Sequence, residues 1–483
     1  MSNATHEIVN KLWNLCNVLK DDGVTYHQYV TELTYLLFLK MAKETGTETR
    51  IPKGYRWDDL ERTSGSDRLQ HYRLILGQLS SNGSKQIRAI FDSANTFIKK
   101  PSTLSTLVSE LDKLDWYSAR REGLGDIYEG LLEKNANEKK SGAGQYFTPR
   151  PLIDSLVTLM RPTPDDIIQD PAAGTGGFLI AANHYIREHN DVDSLSDSQK
   201  RKYRKRTFYG MEHVQDTHRL ALMNMILHDL ESDLDSTGIR YGDTLSPEGE
   251  ALPKASLILT NPPFGTKKGG GLPSRDFLFP TSNKQFCFLQ HIYEGLQPGG
   301  RAAVVLPDNV LFESGIGRQI RGDLMEKCNL HTILRLPTGI FYAQGVKTNV
   351  LFFTRGQKTK DVWIYDMRTN MPQYGKRTHL IRSHFADFES AFGTDPFGNY
   401  DSLAHRKDGG KHGRFRKFDR DWISERNDNL DILWIKEISN DYAFSSESPE
   451  GLARRAIVEL EGALEELQGI LIELSEGSED FDL

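Results

Sequence analysis

The chain has 483 residues, too many for a single hydrophobic core, so two or three domains are expected. A hydrophobic content of 38% and a charged content of 26%, with no long apolar run, fit a soluble globular protein and argue against a transmembrane one. The net charge of -7 argues against tight DNA binding by this chain alone, because most non-specific affinity comes from Lys and Arg neutralising phosphates.

No basic segment followed by an apolar one opens the sequence, so nothing suggests export and a cytoplasmic location is expected. Cys16, Cys287 and Cys328 are scattered without Cys or His partners at zinc spacing and read as reduced core residues. No metal site is expected.

Residues 1–137 carry helical periodicity: Leu33, Leu36, Leu37 and Met41 recur on one face, and Leu124, Ile127, Leu131 and Leu132 do so again. This region is expected to be a helical domain. A polar stretch from Glu133 to Gly144 reads as a linker into Gln145-Tyr146-Phe147-Thr148-Pro149-Arg150. Thr148 and Pro149 form a helix start, with Leu152, Ile153, Leu156, Val157 and Met160 as its buried face.

Ile167 to Phe178 is a short apolar strand, a Gly-rich turn and the start of an apolar helix. The turn, Asp170-Pro171-Ala172-Ala173-Gly174-Thr175-Gly176-Gly177, is not the dinucleotide fingerprint, and an acid at the strand end would repel a pyrophosphate. A carboxylate there suits a cationic ligand. Phe208 to Glu212 reads as the next strand, ending in an acid placed to hold two ribose hydroxyls, and Asp243 follows a third strand. Three strand-end acids facing an amine, a sulfonium, a ribose and an adenine point to S-adenosylmethionine, with a dehydrogenase as the weaker reading.

Leu257 to Thr260 is an apolar run that stops at Asn261-Pro262-Pro263-Phe264. An exocyclic amine is a poor nucleophile while its lone pair is delocalised into the ring, so a catalyst must accept hydrogen bonds from its N–H groups. The Asn261 side-chain oxygen and a Pro262 carbonyl restrained by two prolines can do so with little reorganisation. Phe264 offers a face on which an extruded base can stack, worth about 1 to 3 kcal/mol. Pro-Pro after a strand is also ordinary turn chemistry, so the tetrapeptide alone leaves both readings open.

Further on, helices at Phe286 to Leu296 and Arg318 to Cys328 alternate with strands at Ala302 to Leu306 and Thr332 to Leu336. Asn349 to Thr354 and Val362 to Tyr365 are expected as edge strands, with an antiparallel pair among them. The fold class is therefore α/β: a Rossmann-like methyltransferase sheet, mostly parallel, with ligands at the carboxyl ends of its strands. Lys200-Arg201-Lys202 with Arg204-Lys205-Arg206, and Arg414, Arg416 and Lys417, read as solvated basic faces, whereas Lys267 and Lys268 beside the Asn261 loop are candidates for phosphate contact. Ile457, Leu460, Leu464, Leu467, Leu471 and Leu474 form a regular heptad seam suited to docking a partner helix, before an acidic end expected to be disordered. The expected domains are thus 1–137 helical, 138–400 methyltransferase and 401–483 a carboxyl-terminal region with a helical tail.

Taken together, Gln145 to Arg150, Asp170 to Phe178, Glu212, Asn261 to Phe264, Thr281 to Gln285, Pro307 to Phe312 and Leu336 to Phe341 give the chain its family. It resembles the modification subunit of type I restriction-modification systems, an adenine-specific DNA methyltransferase. The resemblance implies transfer of a methyl group to the N6 amine of a flipped adenine in double-stranded DNA, with Asn261, Pro262, Pro263 and Phe264 as the catalytic loop. It implies a cofactor site that includes Gln145, Tyr146, Phe147, Thr148, Pro149, Arg150, Asp170, Ala172, Gly174, Thr175, Gly176, Gly177, Glu212 and Asp243, with Tyr146 and Phe147 as one wall. It also implies a helical domain that helps close around DNA, a separate specificity subunit, a second copy of this chain and a restriction nuclease or translocase subunit. Two other readings compete: a protein glutamine-amide methyltransferase, which shares the planar amine, and an assembly module in which cofactor binding is regulatory.

Overall fold

The computed structural model describes residues 8–15, 26–114, 116, 148–228, 230, 238–265, 272–341, 346–374 and 378–436. Cys16, the helical pattern at 124–132, the linker, Gln145 to Phe147, Lys267 and Lys268, the heptad seam and the acidic end lie outside the described residues.

Among the described residues, nine strands form one sheet: β1 (Ile168–Asp170), β2 (Phe208–Glu212), β3 (Gly238–Tyr241), β4 (Ala255–Thr260), β5 (Leu296–Pro307), β6 (Cys328–Arg335), β7 (Thr348–Arg355), β8 (Asp361–Asp366) and β9 (Phe415–Asp419). Their spatial order is β3-β2-β1-β4-β5-β7-β6-β8-β9. β1 pairs in parallel with both β2 and β4, so the chain winds outward from β1 in one direction and from β4 in the other. The crevice outside the carboxyl ends of β1 and β4 is where an open α/β sheet takes its ligand.

The expectation of edge strands at Asn349 to Thr354 and Val362 to Tyr365 is corrected by this order, since β8, which holds the second run, lies between β6 and β9. β7 lies between β5 and β6 and is antiparallel to both. Its residues Thr348 to Thr354 are all buried, as an interior strand covered on both faces requires. The outermost strands are β3 at one edge and β9 at the other, with β9 antiparallel to β8. β9 is built from the stretch read as a solvated basic face: Phe415 and Phe418 are buried while Lys417 is exposed. Phe415 and Phe418, three residues apart, point to opposite faces of the strand and enter the two different cores, so the stretch is held by an aromatic anchor on each face rather than being a solvated basic cluster. β9 also extends the sheet beyond residue 400.

Two cores cover the two faces of the sheet. One includes Leu152, Leu156, Leu179, Leu257, Val305 and Phe352, and the other includes Ile258, Phe286, Leu289, Val304, Leu324 and Phe353. The face predicted for the helix Arg150–Met160 is buried at Leu152, Ile153, Leu156, Val157 and Met160. A third core belongs to the amino-terminal helices Tyr26–Thr45, Gly65–Asn82 and Pro101–Asp112, and it takes in Leu222, Met223, Ile226 and Leu227 of the helix Gln215–Leu227. That helix turns Ala221 and Met225 to the sheet core, so it is apolar nearly all round and joins the two regions. Arg219 adds a polar tie, donating to the Asp92 carbonyl at 2.8 Å. Among the described residues no helix is long and apolar enough to cross a membrane, and no group of acidic, His or Cys side chains could hold a metal ion.

Candidate active site

The turn after β1 is shaped by glycine where the backbone requires it. Gly174 and Gly176 have φ of +54° and +86°, a region costly for other residues, and Gly176 opens the helix Gly177–His189. Gly210 on β2 stands opposite Asp170. A Cβ there would lie 3.1 Å from Ala173 Cβ and 3.2 Å from the Asp170 carbonyl, so the close approach of the turn to β2 depends on its absence.

Asp170 is 1% exposed and accepts from the Ala172 N–H at 3.1 Å. Burial pushes its carboxyl up to about 7, opposed by the Thr260 hydroxyl and the Ala172 N–H and assisted by the charge of Glu212. At the end of β2, Glu212 accepts from the Gly174 N–H at 2.9 Å through one oxygen and from the Val214 N–H at 2.8 Å through the other. Burial raises this carboxyl also. Each carboxylate oxygen has a second lone pair, so Glu212 is oriented by the backbone with acceptor capacity in reserve. Val214 and Tyr241, both more than half exposed, flank it at the ends of β2 and β3.

The remaining residues of the expected set are distributed around this crevice. Thr175 offers its carbonyl to Asn224 Nδ2 at 3.1 Å, which ties the turn to the helix Gln215–Leu227. Asp243 lies at the same rim, with one oxygen accepting the Leu245 N–H at 2.9 Å in its own turn. Pro149 is the N-cap of its helix, and Arg150 donates along that helix to Asp154 at 2.9 Å.

Asn261 follows the last residue of β4 and is 6% exposed. Its Nδ2 donates to Thr148 Oγ1 at 3.0 Å, which fixes the amide and leaves Oδ1 as its acceptor end. Thr148, expected at the cofactor site, is therefore brought to Asn261. Three residues on, the Phe264 ring meets the Phe341 ring edge to face, with centroids 6.4 Å apart and planes at 82°. The loop closes at Gly265, whose N–H donates to Gln285 Oε1 at 3.0 Å.

Thr260, Gln285 and Phe341 have no assigned role in the sequence reading. Their contacts join positions 90, 20 and 77 apart, and no local periodicity reports such pairings. What the sequence does offer is that Gln285 and Phe341 fall within Thr281 to Gln285 and Leu336 to Phe341, stretches that already mark the family.

The family model for N-6 DNA methylase matches residues 119–437, and that for the HsdM N-terminal domain matches residues 8–111. The chain is 51% identical to the type I restriction enzyme StySJI methylase subunit of Salmonella typhimurium, covering 98% of this chain and 96% of that protein. It is 50% identical to the EcoKI methylase subunit of Escherichia coli, over 99% and 97% of the two chains. The crystal structure of the EcoKI M protein superposes with a TM-score of 0.58 at 46% identity, covering 97% of this chain and 96% of that one. A type I restriction-modification methyltransferase subunit from Streptococcus thermophilus, 21% identical over 89% and 98% of the chains, shares the fold with a TM-score of 0.67. A family model spanning most of the sheet, together with relatives half identical over nearly their whole length, shows that this chain belongs to the N-6 DNA methylase family, among the type I restriction enzyme methylase subunits.

Proposed function

We propose that this chain transfers a methyl group from S-adenosylmethionine to the N6 amine of an adenine flipped out of double-stranded DNA. It does so as the modification subunit of a type I complex in which a separate specificity subunit reads the sequence. The observation that carries this reading is the meeting of Asn261 with Thr148 at the switch point of the sheet, one strand away from the acid-lined turn of β1.

The residues present fit the cofactor. Asp170 and Glu212 supply carboxylates for a cationic, ribose-bearing ligand, and the turn between them takes its path through Gly174 and Gly176 at positive φ. When bound, the cofactor supplies the methyl group as an electrophile. Glu212, held by two backbone N–H groups, would take the ribose hydroxyls, while Asp170 would balance the positive charge. Asn261 Oδ1 and the Pro262 carbonyl would accept from the two N–H groups of the adenine amine and free its lone pair. The methylated amine is briefly cationic and gives its proton to Asn261 or to water, so no general base is required. Phe264, braced by Phe341, would stack on the extruded base.

The complex is proposed to contain double-stranded DNA, a specificity subunit, a second copy of this chain and, for cleavage, a nuclease or translocase subunit. Modification of chromosomal DNA places it in the cytoplasm. The helical region up to about residue 137 is proposed as a domain that closes on the duplex.

The test is to incubate the purified chain with labelled S-adenosylmethionine and unmethylated genomic DNA, with and without a specificity subunit, and to digest the DNA to nucleosides. Label in N6-methyladenine, abolished in Asn261→Ala, is the expected result. Label in protein, or none despite measurable cofactor binding, would overturn the reading.

A further inference from the structure

The loop that presents Asn261 and Phe264 ends at Gly265, a hinge with φ of +104°. Its two backbone groups are clamped by the start of the helix Lys284–Gly295: the Gly265 carbonyl accepts from the Lys284 N–H at 3.1 Å, and the Gly265 N–H donates to Gln285 Oε1 at 3.0 Å. Gln285 is 5% exposed. Its Nε2 donates to Asn309 Oδ1 at 3.3 Å, and Asn309 Nδ2 donates to Glu313 Oε2 at 3.0 Å, an oxygen that Asn283 Nδ2 also approaches at 3.5 Å.

The direction of every bond in this chain follows from its charged end. An ionised Glu313 can only accept, so Asn309 must donate through Nδ2 and accept through Oδ1. Gln285 must then donate through Nε2, which leaves Oε1 to receive the Gly265 N–H. Glutamine accepts at one end and donates at the other at every pH, whereas a glutamate of the same length does so only when protonated.

Asn309 is also the first residue of the one-turn helix Asn309–Phe312, which links to the Phe341 side of the loop. Its neighbour Asp308 is held by Arg368 through two bonds of 2.7 and 3.0 Å, and Arg368 Nε donates to the Leu336 carbonyl at 2.8 Å. Leu336 heads the segment that ends in Phe341, whose ring meets Phe264. The exit of β5 thus connects through Asn309 and Gln285 to one aromatic wall, and through Asp308 and Arg368 to the other.

We propose that Gln285 is a positioning residue for methyl transfer, locking the Gly265 hinge so that Asn261 and Phe264 hold their places relative to Phe341 when the base arrives. This rests on the methyltransferase reading above. A misplacement of about 1 Å in a reacting pair can cost on the order of a hundredfold in rate, so the bond acts on turnover rather than on cofactor affinity.

The test is Gln285→Glu in the full chain reconstituted with a specificity subunit, assayed with labelled S-adenosylmethionine and duplex DNA from pH 6 to 8.5, always as a ratio to wild type. Ionised, the new carboxylate still accepts from Gly265 but turns a second acceptor on Asn309; protonated, it can donate again. The expected result is kcat lowered about tenfold to a hundredfold at pH 8.5, a deficit that shrinks toward pH 6, and a cofactor KM within about twofold of wild type. Gln290→Glu is the control, since Gln290 is as deeply buried on the same helix but bonds Phe279 instead. Its ratio to wild type should not vary with pH. If Gln285→Glu does not fold, Glu313→Gln at the partly exposed end of the chain decides, because it removes the charge that sets the bond directions. A kcat lowered about threefold or more with KM unmoved supports the proposal. A pH-independent deficit in Gln285→Glu, behaviour equal to Gln290→Glu, or an unchanged kcat in Glu313→Gln would overturn it while leaving the enzymatic reading intact. A wild-type complex that does not methylate DNA overturns both.

Discussion

Thr148 Oγ1 accepts a hydrogen bond from Asn261 Nδ2 at 3.0 Å, between two buried residues 113 positions apart. The amide of a catalytic asparagine must present its oxygen, not its nitrogen, to an amine, and in this structure Thr148 takes up the nitrogen end. Thr148→Val keeps the shape and removes the acceptor. We expect kcat to fall about tenfold to a hundredfold, with cofactor affinity within about threefold of wild type, and Thr148→Ser to recover most of the loss. Steady-state methylation kinetics of the three proteins check this; a loss confined to KM for the cofactor would return Thr148 to the cofactor site alone.

On the proposed reading, Asp170 should make cofactor binding sensitive to pH. Burial holds its carboxyl up near 7, so below that value the crevice offers a neutral acid and above it a carboxylate. A cationic ligand favours the ionised form. The affinity for S-adenosylmethionine should therefore rise between pH 6 and pH 8, and Asp170→Asn should bind more weakly and lose that slope. Calorimetric titration at the two pH values is the measurement, and an affinity that falls with pH would contradict the assignment.

Much of this was legible in the sequence because it is local. A strand that ends in Asp170, a turn that needs glycine, and a strand that stops at Asn261-Pro262 each state their geometry within a few residues. Strand order is not local. The run at β7 was apolar enough to be a strand, but an interior position and an edge differ in what covers the second face, which the run itself does not encode. Arg414 to Phe418 is dominated by its charges, yet Phe415 and Phe418 enter the cores on opposite faces of the sheet, which follows only from the pairing of β9 with β8. The contacts of Gln285 with Gly265 and of Phe341 with Phe264 remained hidden because they depend on which loops the finished sheet brings together.

Glu32 couples the amino-terminal helices to pH. It is fully buried and accepts from Tyr72 Oη at 3.2 Å and from the Phe97 N–H. Burial pushes its carboxyl up to about 7 despite these bonds and that of Thr96. A carboxyl raised above its unfolded value contributes stability that is complete below about 4.5 and is lost as pH rises through 7. Glu32→Gln removes that titration. It should raise the melting temperature at pH 8 and change it little at pH 5, followed by circular dichroism across that range.

Arg301 and Asp166 close the opposite end of the sheet from the crevice. Arg301 reaches both Asp166 oxygens at 3.0 and 3.1 Å, and also the carbonyls of Met160 and Arg161, so it ties the end of the helix Arg150–Met160 to β5. Ser256 at the start of β4 donates to the same carboxylate at 2.7 Å. Burial alone would raise the Asp166 carboxyl, but the bonds and charge of Arg301, with Ser256 and the Thr163 N–H, hold it below the usual carboxylate range. Its stabilisation is therefore present above the unfolded value and is lost as pH falls. Asp166→Asn leaves a buried guanidinium without its counter-charge and should cost about 3 to 5 kcal/mol in denaturant unfolding at neutral pH. Replacing both, Asp166→Leu with Arg301→Met, should cost less than that single change, because no charge is then left buried. Methylation per folded molecule should be unaffected in either variant, since the pair lies at the amino ends of the strands. A double variant less stable than Asp166→Asn would show instead that the carbonyl contacts of Arg301, not its charge, hold this end of the sheet together.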